Sequence, residues 1–210
     1  MNFAERPGKS AVERFMQYYF LQAQTVGHLT GVFLAHIDEE MAQKSRRPRG
    51  LLAGFRSRPR QFKGYKIVGG KICAPGGDWF RQDPVRLIEI FQIAEEEGLE
   101  IHPETMRMAR RDGELIKDEV RRDPRANALF LKVLTGRRDP EMVLRWMNEA
   151  GVFGRFVPDF GKVNAQMQFD MYHHYTVDEH TIRAIGLLAK IEKGELKDDH
   201  PLSTEVIPKL

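Results

Sequence analysis

The sequence is poor in cysteine and in long apolar runs. Cys73 is the single cysteine among 210 residues, which excludes an internal disulfide and any zinc or iron–sulfur site built from four thiolates. This scarcity is typical of a reducing compartment, and we expect a cytoplasmic location. No apolar run approaches the roughly 20 residues that a membrane-spanning helix needs, and the start MNFAERPGKS lacks the apolar stretch of a signal peptide. The sequence therefore predicts neither membrane insertion nor secretion.

Acidic side chains are missing from one segment. Residues 41–77 contain ten basic side chains and no acid, whereas the rest of the chain has 23 basic and 30 acidic residues and a net charge of −7. A basic segment on an acidic body can attract phosphate groups or an acidic protein surface. The alternative is a solvated loop whose charge only keeps it soluble.

Complete catalytic sets are also absent from the sequence. It contains no Asp-x-Asp pair for two divalent metals, no Gly-Ser turn for a triphosphate, no Walker loop and no His-Asp dipeptide. Cys73 has no base near it in the sequence, and we interpret it as structural. The sequence patterns alone therefore predict no catalytic site of these kinds.

Helical periodicity dominates what is present. Apolar residues make up 41% and charged residues 30% of the chain, a composition that favours a folded domain over disorder. Apolar side chains recur at helical spacing from residue 10 to about 43, and Ser10 with Glu13 forms a capping box at the start of this predicted helix. Together with the later helical segments, this pattern predicts a mainly α fold.

Proline and glycine divide the remainder. Asp83-Pro84, Asp123-Pro124 and Asp139-Pro140 each predict a helix start, and the glycines at 98, 136 and 151 predict the corresponding ends. A shorter helix is expected after Pro103. Residues 44–63 are predicted to be a basic loop, and residues 65–74 a hairpin that turns at Gly69-Gly70 and is the only β structure.

The segment GVFGRFVPDFGK interrupts the helical array and predicts a domain boundary, with a helical domain over residues 1–155 and a second unit over 156–210. In the second unit a helix is predicted from a Thr176/Glu179 capping box to about Gly194. His180 shares its apolar face with Ala184, Leu187, Leu188 and Ile191. No further helix is expected in the polar tail, so we expect the chain to be a piece of a longer protein.

Three of the seven histidines cluster in MYHHYTVDEHT, at positions 173, 174 and 180. Metal binding needs neutral imidazoles that converge with carboxylates, and one helical turn offers only part of such a set. From spacing alone, His180 is better explained by a core imidazole with satisfied nitrogens, and His173 and His174 are better explained by an ordinary polar loop.

Five stretches resemble the middle of bacterial PII uridylyltransferase/uridylyl-removing enzymes. They are ERFMQYYFLQAQTVGHLT, PRGLLAGFRSRP, FQIAEEEGLEIHPETMR, LTGRRDPEMVLRWMNEAGVFGRFVPDFGKV and AQMQFDMYHHYTVDEHTIRAIGLL. The last two are the most specific, and together the five make up about half of the chain.

The resemblance implies a nucleotidyltransferase domain, an attached helical domain, an HD hydrolase domain and glutamine-sensing ACT domains. Such enzymes transfer UMP from UTP to the PII signalling protein and remove it by hydrolysis. This chain would contain the helical domain and the start of the HD domain, with the main catalytic residues outside it and no activity of its own.

Within Val177-Asp178-Glu179-His180-Thr181, the resemblance assigns His180 as the first metal-ligating histidine of the HD site. The implied cofactor is a divalent metal, Mg²⁺ or Mn²⁺, which lowers the pKa of a bound water. His173 and His174 are weaker candidates for substrate binding. The implied partners are PII, UTP and UMP, and glutamine through C-terminal domains that this chain lacks; a membrane or nucleic acid is not implied.

Two other interpretations remain open at this point. One is the helical domain of glutamine synthetase adenylyltransferase, although an HD segment such as MYHHYTVDEHT is not expected there. The other is a free-standing helical module that binds nucleic acid or an acidic protein through the basic loop, with an affinity that falls steeply with salt.

Overall fold

The computed structural model describes residues 3–5, 9–45, 60–166 and 175–209. Helices account for most of these residues, which confirms the expected mainly α fold. The α-helices are α1 Ala11–Ser45, α2 Trp79–Gln82, α3 Arg86–Glu97, α4 Pro103–Asp112, α5 Asp118–Arg122, α6 Pro124–Leu134, α7 Pro140–Glu149, α8 Phe153–Phe156, α9 Pro158–Val163, α10 Val177–Glu192 and α11 Pro201–Val206. Short 3-10 turns cover Gly113–Leu115 and Ile207–Lys209.

Most of the predicted helix boundaries are confirmed by the hydrogen bonds at the helix ends. The Asp123 carboxylate accepts from two backbone N–H groups at the start of α6, and Asp139 accepts from the Met142 N–H at the start of α7. Gly98 ends α3 with a φ of 64°, a left-handed conformation that favours glycine. At Asp83 the agreement is looser, since α3 begins only at Arg86.

A small four-stranded sheet lies between α1 and α4 in the sequence order. Its strands are β1 Arg60–Phe62, β2 Tyr65–Val68, β3 Lys71–Cys73 and β4 Glu100–Ile101, and they are arranged in that order. The predicted hairpin is confirmed as the antiparallel β2–β3 pair, in which Ile67 faces Ile72. Strand β4 returns after α3 to pair in parallel with β3.

The expectation that the hairpin is the only β structure is wrong. Residues 60–62, predicted as the end of the basic loop, pair antiparallel with β2, and β4 is a strand that the sequence pattern did not indicate. Both strands are too short to show a period-two pattern. Residues 46–59 of the predicted loop lie outside the described residues.

Helix α3 forms the centre of the hydrophobic core. Leu87, Ile88, Ile90 and Phe91 are all 0% exposed, and α3 packs against α6 and α7. Such complete burial of large apolar side chains is the main source of stabilisation in a domain of this kind.

The glycine-rich segment that interrupts the helical pattern is itself well packed. Phe153, Phe156 and Phe160 are buried and belong to the same hydrophobic core as α3, and the rings of Phe153 and Phe160 stack at 3.8 Å between centroids. Gly154 and Gly161 allow α8 and α9 to touch, because a Cβ on Gly161 would lie 2.5 Å from the Gly154 carbonyl oxygen. The domain boundary near residue 155 remains a prediction.

Glu95 is a buried carboxylate that holds the loop between α6 and α7. It is 4% exposed, and its oxygens accept from the backbone N–H groups of Arg138 at 2.6 Å and Asp139 at 3.0 Å. Gly136 leaves room for it, since a Cβ there would lie 2.5 Å from the Glu95 Cγ. The start of α7 is therefore fixed by a side chain of α3.

Replacing Glu95 by alanine leaves both backbone donors without their acceptor and is expected to lower the free energy of unfolding by about 1–3 kcal/mol. Chemical denaturation of the purified chain measures this loss. The matched control is Glu119→Ala, because Glu119 is an exposed glutamate on α5 and its removal is expected to cost less than about 0.5 kcal/mol. Equal losses in the two variants would contradict the assigned role of Glu95.

Helix α1 confirms the predicted long helix and its capping box, in which the Ser10 N–H donates to Glu13 and the Glu13 N–H donates to Ser10 Oγ. Much of its apolar stripe is exposed, for example Val26 at 63% and Phe33 at 62%. It contacts α4. No helix in the described part of the chain is long and apolar enough to cross a membrane.

The expectation that no helix follows Gly194 is wrong. Gly194 ends α10 with a φ of 77°, and the short helix α11 then begins at Pro201, which occupies its first turn. A helix of this length shows no apolar periodicity, so Pro201 was the available signal. Helix α11 lies against α10.

Candidate functional site

His180 lies in the first turn of α10, and its side chain is exposed. Along the same face of the helix, Leu187 is 43% and Leu188 is 55% exposed, while Ile191 is buried at 5%. The predicted apolar face thus exists, and its first part faces outward. A core imidazole with buried nitrogens, which spacing alone favoured, is not what the structure contains, because His180 is exposed.

The opposite face of α10 packs against α7. Ile182 is 0% exposed and belongs to the hydrophobic core. Gly186 permits the close approach, since a Cβ there would lie 2.6 Å from the Glu141 Cβ on α7. Helix α10 is therefore held from the side opposite His180.

Two polar interactions join the same helices, and we call them the α7–α10 joint. Arg145 on α7 donates to both carboxylate oxygens of Glu179, at 2.5 and 3.3 Å, and also to Glu141 at 3.1 Å. The hydrogen bond to Glu179 is the main reason that the pKa of Arg145 lies above its usual value. Asn148 donates to Asp178 at 2.7 Å, and these side chains are 8% and 1% exposed.

The predicted Thr176/Glu179 capping box is not formed. Thr176 is at the N-cap position of α10, but its side chain makes no capping hydrogen bond, and Glu179 is engaged by Arg145 instead. A capping box needs Glu179 to turn back to the N-cap N–H. A partner from another helix has replaced that local interaction.

A cavity of about 270 Å³ lies beside the joint, between α1, α7 and the start of α10. Asn148 and Asp178 both line it, and each has a buried Oδ1 atom without a hydrogen-bond partner. Several polar side chains line the cavity, and it is large enough for water, so water molecules are the expected donors to these two oxygens.

Among the described residues, no group of three or more His, Cys, Asp or Glu side chains could hold a metal ion. Glu179 is committed to Arg145, and Asp178 is buried on the side of α10 that faces α7. The exposed imidazole of His180 can contribute one ligand, and the other ligands of a metal site would have to come from outside the described residues.

The other candidates from the sequence are His173, His174, the basic loop and Cys73. His173 and His174 lie outside the described residues, as does most of the basic loop. Cys73 ends β3, is half-buried, and its thiol is 3.8 Å from the Lys71 carbonyl oxygen.

Sequence reasoning missed Arg145, Asn148 and Asp178. The spacing of Glu141 and Arg145 is that of an ion pair along one helix, which was the available signal. The α10 partners of Arg145 and Asn148 are 34 and 30 residues away, and no local pattern indicates a pairing at that distance.

Comparison with known proteins gives a consistent result. Residues 65–156 match the family model described as "Uridylyltransferase GlnD third domain". Over all 210 residues the chain is 70% identical to a bifunctional uridylyltransferase/uridylyl-removing enzyme of Erythrobacter litoralis (strain HTCC2594) and 68% identical to one of Novosphingobium aromaticivorans. The chain spans 23% of the length of each. No solved structure matches it.

Proposed function

We propose that this chain is the helical segment that links the two activities of a bifunctional uridylyltransferase/uridylyl-removing enzyme. The observation that carries the proposal is the 70% identity along the whole chain to an enzyme of that name. At that level of identity, chemistry and fold are expected to be shared throughout the matching segment.

In this proposal residues 1–155 form the helical domain attached to the nucleotidyltransferase, and residues 156–210 begin the HD domain. His180 is the first metal ligand of the HD site. Its exposure on the open face of α10 supports this role, because a ligand for a metal held between packed helices must point toward the helices that complete the site. A bound divalent metal supplies an activated water for hydrolysis of the UMP linkage.

The proposed substrates and partners follow from the same identity to enzymes of that name. UTP is the donor for transfer, PII is the protein that is modified and restored, and glutamine acts through domains outside this chain. His173 and His174 are proposed to contact the substrate, the basic segment 44–63 is proposed to face nucleotide phosphates or PII, and the location is cytoplasmic.

The 210-residue chain by itself is expected to show no UMP transfer and no UMP removal, because it provides one metal ligand and none of the nucleotidyltransferase carboxylates. Incubation of the purified chain with labelled UTP and PII, and separately with uridylylated PII, measures both reactions. The complete enzyme is the positive control. Turnover by the chain in either assay would contradict the proposal that neither active site is complete in this chain.

The free-standing binding module is distinguished by a different measurement. If the basic segment served to bind nucleic acid, the chain would bind an oligonucleotide with an affinity that falls steeply with salt. Our proposal expects no such binding at physiological ionic strength.

A further inference from the structure

The first turn of α10 lacks the local interaction that normally orders a helix start. The Thr176 side chain makes no capping hydrogen bond, and the loss of a cap typically costs a helix about 1 kcal/mol. Of the first N–H groups, that of Val177 donates to the Gln166 carbonyl at 2.8 Å. His180 lies in this weakly capped turn.

The α7–α10 joint contacts the helix at this point. Asp178 and Glu179 directly precede His180, and each is bound by a side chain of α7, Asn148 and Arg145 respectively. The two interactions are close to each other along α7, so they hold the same turn of α10 at two points.

Both interactions are directional. Arg145 engages both Glu179 oxygens, a geometry that fixes orientation as well as distance, and the Asn148–Asp178 hydrogen bond is buried, where a misaligned partner is costly. Apolar packing of Ile182 alone would tolerate a small sliding or rotation of α10. The polar pairs favour one position and one rotation of α10. In that orientation the side chain of His180 projects from the opposite face of the helix.

We propose that Arg145 and Asn148 are positioning residues for UMP removal: from the helical domain, they order the first turn of α10 and so set where His180 is presented. This rests on the role proposed above for His180. It makes the hydrolytic site dependent on a helix of the preceding domain, while the chemistry of UMP transfer does not use this joint.

The first test uses the 210-residue chain and does not depend on activity. Hydrogen–deuterium exchange is measured for Arg145→Gln and Asn148→Asp, the second of which places two carboxylates together. We expect amide exchange in the first turn of α10 to rise by at least roughly tenfold, as local opening becomes easier, while exchange in α3 stays unchanged. The double variant Asn148→Asp/Asp178→Asn restores a donor opposite an acceptor and is expected to recover protection.

The matched control is Arg107→Gln, which removes an exposed ion pair with Glu104 on α4. It is expected to leave α10 unchanged, since surface pairs contribute little. Unaltered exchange of α10 in both joint variants would overturn the proposal, as would a rise spread equally over α3 and α10, which indicates general destabilisation.

The second test uses the complete enzyme. Arg145→Gln and Asn148→Asp are expected to reduce UMP removal about 10–100-fold, the usual cost of losing a group that orients a metal ligand, with UMP transfer within about twofold of the unaltered enzyme. The double variant is expected to regain UMP removal.

Equal loss of both activities, or unchanged UMP removal, would contradict the positioning role of Arg145 and Asn148. If His180→Ala leaves removal intact, the proposed function itself is wrong, whatever the exchange data show for the joint.

Discussion

In the complete enzyme, His180→Ala is expected to reduce UMP removal by more than about 100-fold, because loss of a metal ligand should exceed the 10–100-fold cost of losing a residue that only orients one. UMP transfer is expected to continue at an unchanged rate, since His180 is exposed and supports none of the core. Parallel assays with UTP and PII, and with uridylylated PII, measure the two rates.

The matched control for this substitution is His200→Ala. His200 is also an exposed histidine at a helix start, and its side chain makes no capping hydrogen bond. It is expected to leave both reactions unchanged. An equal fall of removal and transfer in His180→Ala would show that the histidine supports the fold rather than the hydrolytic site.

The second large effect concerns stability. Phe91 is 0% exposed at the centre of α3, and Phe91→Ala is expected to lower the free energy of unfolding by about 3–5 kcal/mol, because it removes buried apolar surface and leaves a cavity. Urea denaturation of the purified chain measures the change.

Leu131→Ala on α6 provides the comparison, since Leu131 is 59% exposed and its truncation is expected to cost less than about 0.5 kcal/mol. Similar losses for the two variants would show that α3 is not the centre of the core. The arrangement of α6 and α7 around it would then need to be revised.

Local signals in the sequence predicted much of the helical framework. Asp123 and Asp139 cap the helices that they were expected to cap, and Gly69-Gly70 forms the expected hairpin turn. Each of these features depends on residues within a few positions of one another, so a single sequence contains the necessary information.

The features that sequence reasoning missed depend on contacts between distant segments. Strand β4 exists because α3 returns the chain to β3. Glu179 accepts a hydrogen bond from Arg145 on another helix instead of capping the start of α10. Helix α11 was missed for a different reason, because six residues are too few to show periodicity.

The candidate site was identified by the resemblance to a known family more than by the spacing of its residues. Spacing alone placed His180 on an apolar helix face and favoured a core imidazole as the explanation. The structure adds that this side chain is exposed and that the opposite face of α10 is the one that is packed. Periodicity groups residues on one face of a helix, but only their burial shows whether that face points into the core.

The most direct test of the central claim is a crystal structure of the complete enzyme with bound Mn²⁺, located by its anomalous scattering. Our account expects a ring nitrogen of His180 to coordinate the ion, with Arg145 and Asn148 still holding Glu179 and Asp178 behind it. An ion coordinated entirely by other side chains, with the His180 ring turned toward solvent, would contradict the account.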